Sequence, residues 1–200
     1  MFTISHMWLI IYWILYCALH SVLASSIVKR VIERYTGRYY RYYRIFYSLF
    51  ASITLIVLLA YQFSFENNIL IKRSAVFIII SIFFIIPGII LMSISIYKYF
   101  FHLSGIDVFF KTRRAETNLQ VQGVHRYVRH PLYLGTLLLV WGLWFLWPAI
   151  HHLIACGVIT LYVFAGIHWE EKKLLQSFGQ QYRDYAKNVP MLWPKFKIKN

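Results

Sequence analysis

The sequence predicts an all-α polytopic membrane protein with five transmembrane helices, its N-terminus outside and its C-terminus in the cytoplasm. Three observations carry that prediction. The 200-residue chain is 60% hydrophobic and only 14% charged, with a mean hydropathy of +0.56. Its charged residues are absent from long stretches. Its 21 Lys and Arg against 7 Asp and Glu, a net charge of +14, fall almost wholly on alternate connections. Charge this sparse and one-sided argues against a soluble nucleic-acid-binding domain, and the composition excludes a disordered or collagen-like chain.

A bilayer core of about 30 Å takes roughly 20 helical residues. Residues 1–28 contain no charged side chain and predict a first span over 6–25. It lacks a basic leader, so it reads as a retained helix and not a secretion signal. The 21 residues between Arg44 and Glu66 predict a second span, 45–65, and the 24 between Arg73 and Lys98 a third, 75–97. The 40 residues between Arg129 and Glu170 are long enough for two. Proline at Trp147-Pro148 favours a break, giving a hairpin of 132–147 and 150–169. Cys17 and Cys156 lie in apolar stretches and read as buried, inert thiols.

Five spans fix which connections share a side. The 25–44 connection holds Lys29, Arg30, Arg34, Arg38, Arg41 and Arg44. The 98–131 connection holds Lys98, Lys111, Arg113, Arg114, Arg126 and Arg129, and the segment after Glu170 holds seven more basic residues. The other side has only Lys72 and Arg73, a split of 19 to 2 that sets the orientation by the positive-inside rule. The organisation expected is one multi-pass domain, 1–200, in a cytoplasmic membrane. It comprises three N-terminal spans (1–97), then a catalytic portion (98–200) with the hairpin 132–169 and a tail 170–200. The cations also suit anionic lipid headgroups as partners, and nucleic acid is not expected. The run Tyr39-Tyr40-Arg41-Tyr42-Tyr43-Arg44 reads as an interfacial aromatic belt or as a contact for a headgroup or substrate.

Several polar features sit within the spans. His20, with Ser21, reads equally as a hydrogen-bonded structural histidine and as a substrate contact. Pro87-Gly88 reads as a kink or as a discontinuous helix lining a site. His151 and His152 are adjacent, on the outer side and remote from the other polar clusters, which makes them poor joint ligands. His125 and His130 lack a metal-site partner, so no metal is expected.

Two segments carry the chemistry. In residues 120–135, a turn at Gly123 leads into a basic, aromatic stretch, and Pro131 opens the fourth helix, whose exposed amides can receive an anionic group. At His168-Trp169-Glu170-Glu171 two adjacent acids emerge from the fifth span, costly unless paired or bound to a cation. Both segments face the cytoplasm, and the hairpin makes their helices neighbours, so they can converge. An anion-friendly helix start, an acidic pair and tyrosine faces suit a zwitterion with an added cation, such as S-adenosylmethionine.

The motif Gly-x-x-x-x-x-Arg-His-Pro-x-Tyr-x-Gly (Gly123 to Gly135) is followed by the apolar hairpin. Next come Glu-Glu-x-x-Leu-x-x-x-Phe-Gly-x-x-Tyr-x-x-Tyr (Glu170 to Tyr185) and Val189-Pro190. This order resembles the isoprenylcysteine carboxyl methyltransferase and phospholipid methyltransferase superfamily of membrane enzymes, over about 119–194. The Leu19–Ser25 segment, Tyr43–Tyr47 and Leu103-Ser104-Gly105-Ile106-Asp107 are similar to its NnrU-like branch, which includes methanethiol S-methyltransferases.

The resemblance implies a cytoplasmic S-adenosylmethionine pocket built from the 98–131 connection and the tail. Val121, Gly123, His125, Tyr127, His130, Pro131, Tyr133 and Glu170 would contact the cofactor, and Tyr185 and Pro190 would help cover it. Arg129 and Glu171 would orient substrate near the transferred methyl group. Where the family often has Gly-Pro-Tyr, this chain has Gly123-Val124-His125, which leaves the role of His125 open. Methyl transfer needs alignment and exclusion of water more than a covalent nucleophile. A thiolate or carboxylate acceptor would need a cation such as Arg129, and an amine a base such as Glu171. The acceptor implied is lipophilic or a small thiol. The competing reading is a non-enzymatic membrane protein, either a small transporter subunit or a haem-binding sensor.

Overall fold

The computed structural model describes residues 2–65, 69–104 and 119–194. Gly105–Asp107, Lys111, Arg113, Arg114 and the lysines after residue 194 lie outside the described residues. The described chain is helical: α1 Ile4–Ala24, α2 Ser26–Thr36, a 3-10 turn Gly37–Tyr42, α3 Tyr43–Phe63, α4 Ala75–Ser104, α5 Pro131–Leu146 and α6 Ile150–Asn188. Among the described residues four helical stretches are long and apolar enough to cross a membrane, and α5 is a shorter apolar helix. This is the architecture of a polytopic membrane protein. The five helices begin within a few residues of the expected spans, and α1, α3 and α5 also end there, whereas α4 and α6 run on past the expected ends, to Ser104 and Asn188.

The residues cluster into two compact units. Within the described residues, the first takes in 1–72, 98–104 and 147–159, the second 73–97, 119–146 and 160–194. In the first, Leu9 and Trp13 of α1 pack with Leu58 of α3 and Ala155 of α6. A buried polar chain ties the same three helices. Trp13 Nε1 donates to Gln62 Oε1 at 2.9 Å, and Gln62 Nε2 lies 2.7 Å from His152 Nδ1. Both ends of the amide are thus used, which offsets its burial in an apolar bundle. This corrects the expectation that His151 and His152 stand apart from other polar groups. His152 joins Gln62, and His151 stacks on Phe65 with ring centroids 5.7 Å apart, on the ring that His6 also approaches at 5.1 Å. Ile69–Ile71 runs against the hairpin turn, where Leu70 N donates to Pro148 O at 2.8 Å.

The basic 25–44 connection is itself structured. The Ser25 hydroxyl accepts from Val28 N at 3.3 Å and starts α2, and Gly37 at φ 51° ends it in the left-handed region.

In the second unit α4 and α5 approach backbone to backbone. A Cβ on Gly88 would meet Leu139 N at 2.8 Å, and one on Gly135 would meet Gly88 O at 3.0 Å. Small residues that permit such approach are the usual device of membrane helix packing. Gly88 therefore serves helix contact, and α4 continues as helix through Pro87, without the break of a discontinuous helix. Trp141 Nε1 donates to Thr160 Oγ1 at 3.1 Å, joining α5 to α6. Beyond the expected membrane exit α6 runs on to Asn188, interrupted only where Gly179 adopts φ 52°. The stretch from Glu170 to Phe178 consists mainly of good helix formers, which explains the continuation.

Candidate active site

The fold-back at Gly179 creates the candidate site. On a straight helix, Glu171 and Tyr182 would stand about 17 Å apart. In the structure Tyr182 OH donates to Glu171 Oε1 at 2.6 Å. A left-handed residue at 179, where glycine alone carries no Cβ penalty, reverses the chain and lays 180–188 beside 168–175. An open cleft of about 570 Å³ lies between the two limbs, lined by His168, Lys172, Tyr182, Arg183 and Lys187 among others.

The segment before α5 docks on the returning limb. Gly123, at φ 65°, opens a short 3-10 turn, Gly123–Arg126. The chain then runs alongside the tail. Arg129 N donates to Pro190 O at 2.9 Å and His130 N to Met191 O at 3.2 Å. Tyr185 OH donates to His125 O at 2.7 Å. Pro131 fills the first helical position, where its missing N–H costs nothing.

Arg129 joins all three parts. Its Nε donates to Glu171 Oε1 at 2.9 Å and its Nη2 to Glu171 Oε2 at 3.1 Å, a bidentate pair. Its Nη1 donates to Ala186 O at 2.8 Å and Val189 O at 3.0 Å, satisfying carbonyls left over at the end of α6. The side chains of Arg129 and Glu171 are 12% and 25% exposed. His130 Nε2 lies 2.8 Å from Glu171 Oε1. Burial pushes the Glu171 carboxyl up, but hydrogen bonds from Tyr182 and His130 and the Arg129 charge outweigh it and hold it below the usual range. Burial and the hydrogen bond to Glu171 raise the Tyr182 phenol, which therefore stays a proton donor.

Glu170 differs from its neighbour. Its carboxylate is 44% exposed and stands 3.7 Å from His130 Nδ1. It also faces Tyr133, whose ring lies 5.6 Å from that of His130. Two adjacent glutamates thus have different surroundings. Glu171 is used up on both oxygens, and Glu170 has room for a ligand. The structure brings together His125, Arg129, His130, Pro131, Tyr133, Glu170, Glu171, Tyr185 and Pro190. Val121 and Tyr127 are exposed, at 39% and 68%. His20 belongs to the other unit, where its ring nitrogens contact Tyr47 OH at 3.0 Å and 3.1 Å. Tyr182 was not singled out from the sequence. Its signal was its place in the Tyr-x-x-Tyr pair after Gly179, legible only once the chain reverses there. Among the described residues no cluster of three or more His, Cys, Asp or Glu is arranged to hold a metal.

A helical membrane scaffold presenting an Arg-His-Pro helix start to an acidic helix exit defines the class, and comparison with known proteins gives it a family. The chain belongs to the phospholipid methyltransferase family, whose model matches residues 76–181. It is 30% identical over 125 residues to methanethiol S-methyltransferase of Pseudomonas deceptionensis, covering 60% of this chain and 46% of that protein. It is 33% identical over 109 residues to the Crocosphaera subtropica protein of the same name, covering 53% and 42%. To protein-S-isoprenylcysteine O-methyltransferase of Dictyostelium discoideum it is 31% identical over 86 residues, covering 38% and 33%. The chain spans about half the length, or less, of the curated relatives it matches. No solved structure matches.

Proposed function

We propose that the protein is an integral membrane methyltransferase that uses S-adenosylmethionine, bound on the cytoplasmic side, to methylate a small thiol or lipophilic acceptor. The observation that carries this reading is the junction of Arg129, His130, Glu171 and Tyr182 inside the family-matched segment, with the exposed Glu170 beside it. The 19-to-2 distribution of basic residues supports an outer N-terminus and a cytoplasmic C-terminus, and a cytoplasmic membrane as the setting. The catalytic portion proposed is 98–200; the clustering adds to its core 73–97 of α4, which groups with 119–146 and 160–194, while 98–104 and 147–159 group with the first unit.

The residues present fit a zwitterionic cofactor. Glu170 offers a carboxylate to an ammonium group, Tyr133 an aromatic face to a sulfonium, and Gly123–His125 backbone at a turn. Bound there, S-adenosylmethionine supplies an electrophilic methyl group. The chain aligns acceptor and donor and keeps water out, a contribution worth about 7–11 kcal/mol in favourable cases. Arg129 and Glu171 neutralise each other, so their part is to hold the tail and orient the acceptor region. Glu170 is the carboxylate able to take a proton from a thiol or amine acceptor.

Calorimetry of S-adenosylmethionine binding in detergent or nanodiscs tests this reading, together with methyl transfer to methanethiol. Binding is expected, and Glu170→Ala should weaken it at least tenfold. Folded wild-type protein that binds no S-adenosylmethionine would overturn it.

A further inference from the structure

The first unit contains a groove none of whose lining residues, His20 included, is among those gathered at the Arg129–Glu171 junction. It runs between α1 and α3 with a volume of about 470 Å³, within the range of small-molecule sites. It extends from Tyr12 and Tyr61 at one end to Leu23 and Tyr47 at the other, with Ala51 and Leu19 between. Tyr12 to Leu23 is 11 helical residues, about 17 Å. That is close to the depth of one leaflet's hydrocarbon, half of about 30 Å. The groove opens towards lipid, because Leu19, Ile53 and Val57 on its walls are 48%, 58% and 63% exposed.

The two ends of the groove differ chemically. At one end His20 and Tyr47 form a polar pair, with Tyr47 OH 3.0 Å from His20 Nδ1. Tyr43 OH donates to Leu23 O at 2.7 Å and closes the two helices over that end. Immediately beyond lie α2 and the 3-10 turn, packed on the ends of α1 and α3. Between residues 26 and 44 there are six cations, Lys29, Arg30, Arg34, Arg38, Arg41 and Arg44, and one acid, Glu33. Helix α2 is amphipathic: Ile27, Val31 and Tyr35, at i, i+4 and i+8, are 66%, 49% and 85% exposed. Such a helix lies in the interface with its apolar side in the acyl region and its cations at headgroup level.

We infer that the α1–α3 groove is a binding site for one acyl chain of an anionic glycerophospholipid from the leaflet on the α2 side. Its phosphate-bearing headgroup is held by the cations of α2 and the 3-10 turn. Length, apolar lining and a polar end fit the chain, and the charge beside that end selects the head. A zwitterionic choline headgroup would gain from the phosphate contacts but would find a single carboxylate, Glu33, for its ammonium. The site stands apart from the methyltransferase reading and does not depend on it.

Native mass spectrometry of the full-length protein tests the assignment, with phosphatidylglycerol and phosphatidylcholine as competing lipids and thermal unfolding in lipid-doped detergent alongside. One phosphatidylglycerol should be retained saturably and in preference, and should raise the unfolding temperature. Lys29→Gln combined with Arg30→Gln should weaken retention about fivefold per residue. Ala51→Trp, which places a ring in the groove, should abolish it. Equal retention of phosphatidylcholine would overturn the headgroup assignment. Undiminished phosphatidylglycerol retention by folded Ala51→Trp protein would overturn the groove. If that variant does not fold, unchanged retention by the Lys29/Arg30 variant, whose substitutions are on the exposed α2, overturns the proposal by itself.

Discussion

In the first unit a neutral chain, Trp13 to Gln62 to His152, joins α1, α3 and α6. In the second, Arg129, His130, Glu171 and Tyr182 join the start of α5 to the folded-back end of α6. Both clusters connect segments far apart in sequence, and both use nearly every donor and acceptor they bring. They differ in charge and in depth. The amide chain lies among apolar helices, where an ionised group would be costly. The ionic cluster sits where α6 leaves the expected span, so a carboxylate can be retained if it is fully paired. The comparison separates groups that hold helices together from groups placed to meet a ligand. On the reading proposed above, Glu171, Arg129 and Gln62 are of the first kind, and Glu170 is of the second.

The largest effect on stability should come from breaking the ionic cluster. Glu171→Ala strips three donors of their shared acceptor and leaves a partly buried guanidinium without its carboxylate. The loss should be about 2–3 kcal/mol, with methyl transfer lost as well. Thermal unfolding in detergent measures it. A variant that melts with the wild type would show that the tail is held by backbone pairing alone.

The same cluster should respond to acid. The fold holds the Glu171 carboxyl below its usual range, so its ionised form is favoured in the folded protein. The stabilisation is therefore fully present above the unfolded carboxyl value of about 4.3, and is lost as pH falls through the lower folded value. Wild-type stability should drop in that acid window, and Glu171→Gln should flatten the drop. Equal acid sensitivity in the two proteins would assign the effect elsewhere.

The neutral cluster should matter less. Gln62→Leu leaves the Trp13 N–H and His152 without partners, at a cost of about 1 kcal/mol. Thermal unfolding in detergent at neutral pH should show a loss well below that of Glu171→Ala, and a loss as large as that variant's would make the amide chain as strong a tie as the ionic cluster.

The spans were legible in the sequence because charged residues are excluded from them, and Trp147-Pro148 marked the hairpin for the same physical reason that it breaks the helix. Helix α2 was hidden because its apolar stripe, Ile27, Val31 and Tyr35, is interleaved with cations that also read as a topology signal. The Arg129–Glu171 convergence was legible in outline, from two polar segments on one side of a hairpin. Its atomic form was not, because it depends on the left-handed conformation of Gly179, and a glycine in a helix-forming stretch does not announce which way the chain will turn. Gln62 is one polar residue in an apolar run. Only the depth it shares with Trp13 and His152 makes it a structural centre.

The smallest change in stability should accompany the sharpest change in function. Glu170→Gln keeps the side chain's size and removes its charge from a carboxylate that is 44% exposed and 3.7 Å from His130 Nδ1. His130 is buried, but the contact is long and the Glu170 carboxylate is open to solvent, so it contributes little and the unfolding temperature should shift by no more than about 0.5 kcal/mol allows. If Glu170 accepts a proton from the acceptor, however, turnover should fall by about a hundredfold or more. The fall should be greatest at neutral pH, where few thiol acceptors are already ionised, and smaller as pH approaches the thiol's own value. A thiolate that arrives ionised has no proton to give, so the same variant assayed at high pH distinguishes proton acceptance from cofactor binding. Loss confined to neutral pH assigns the first role, and equal loss across the range assigns the second. Unaltered turnover throughout would place Glu170 with Glu171, among the groups that only hold the tail.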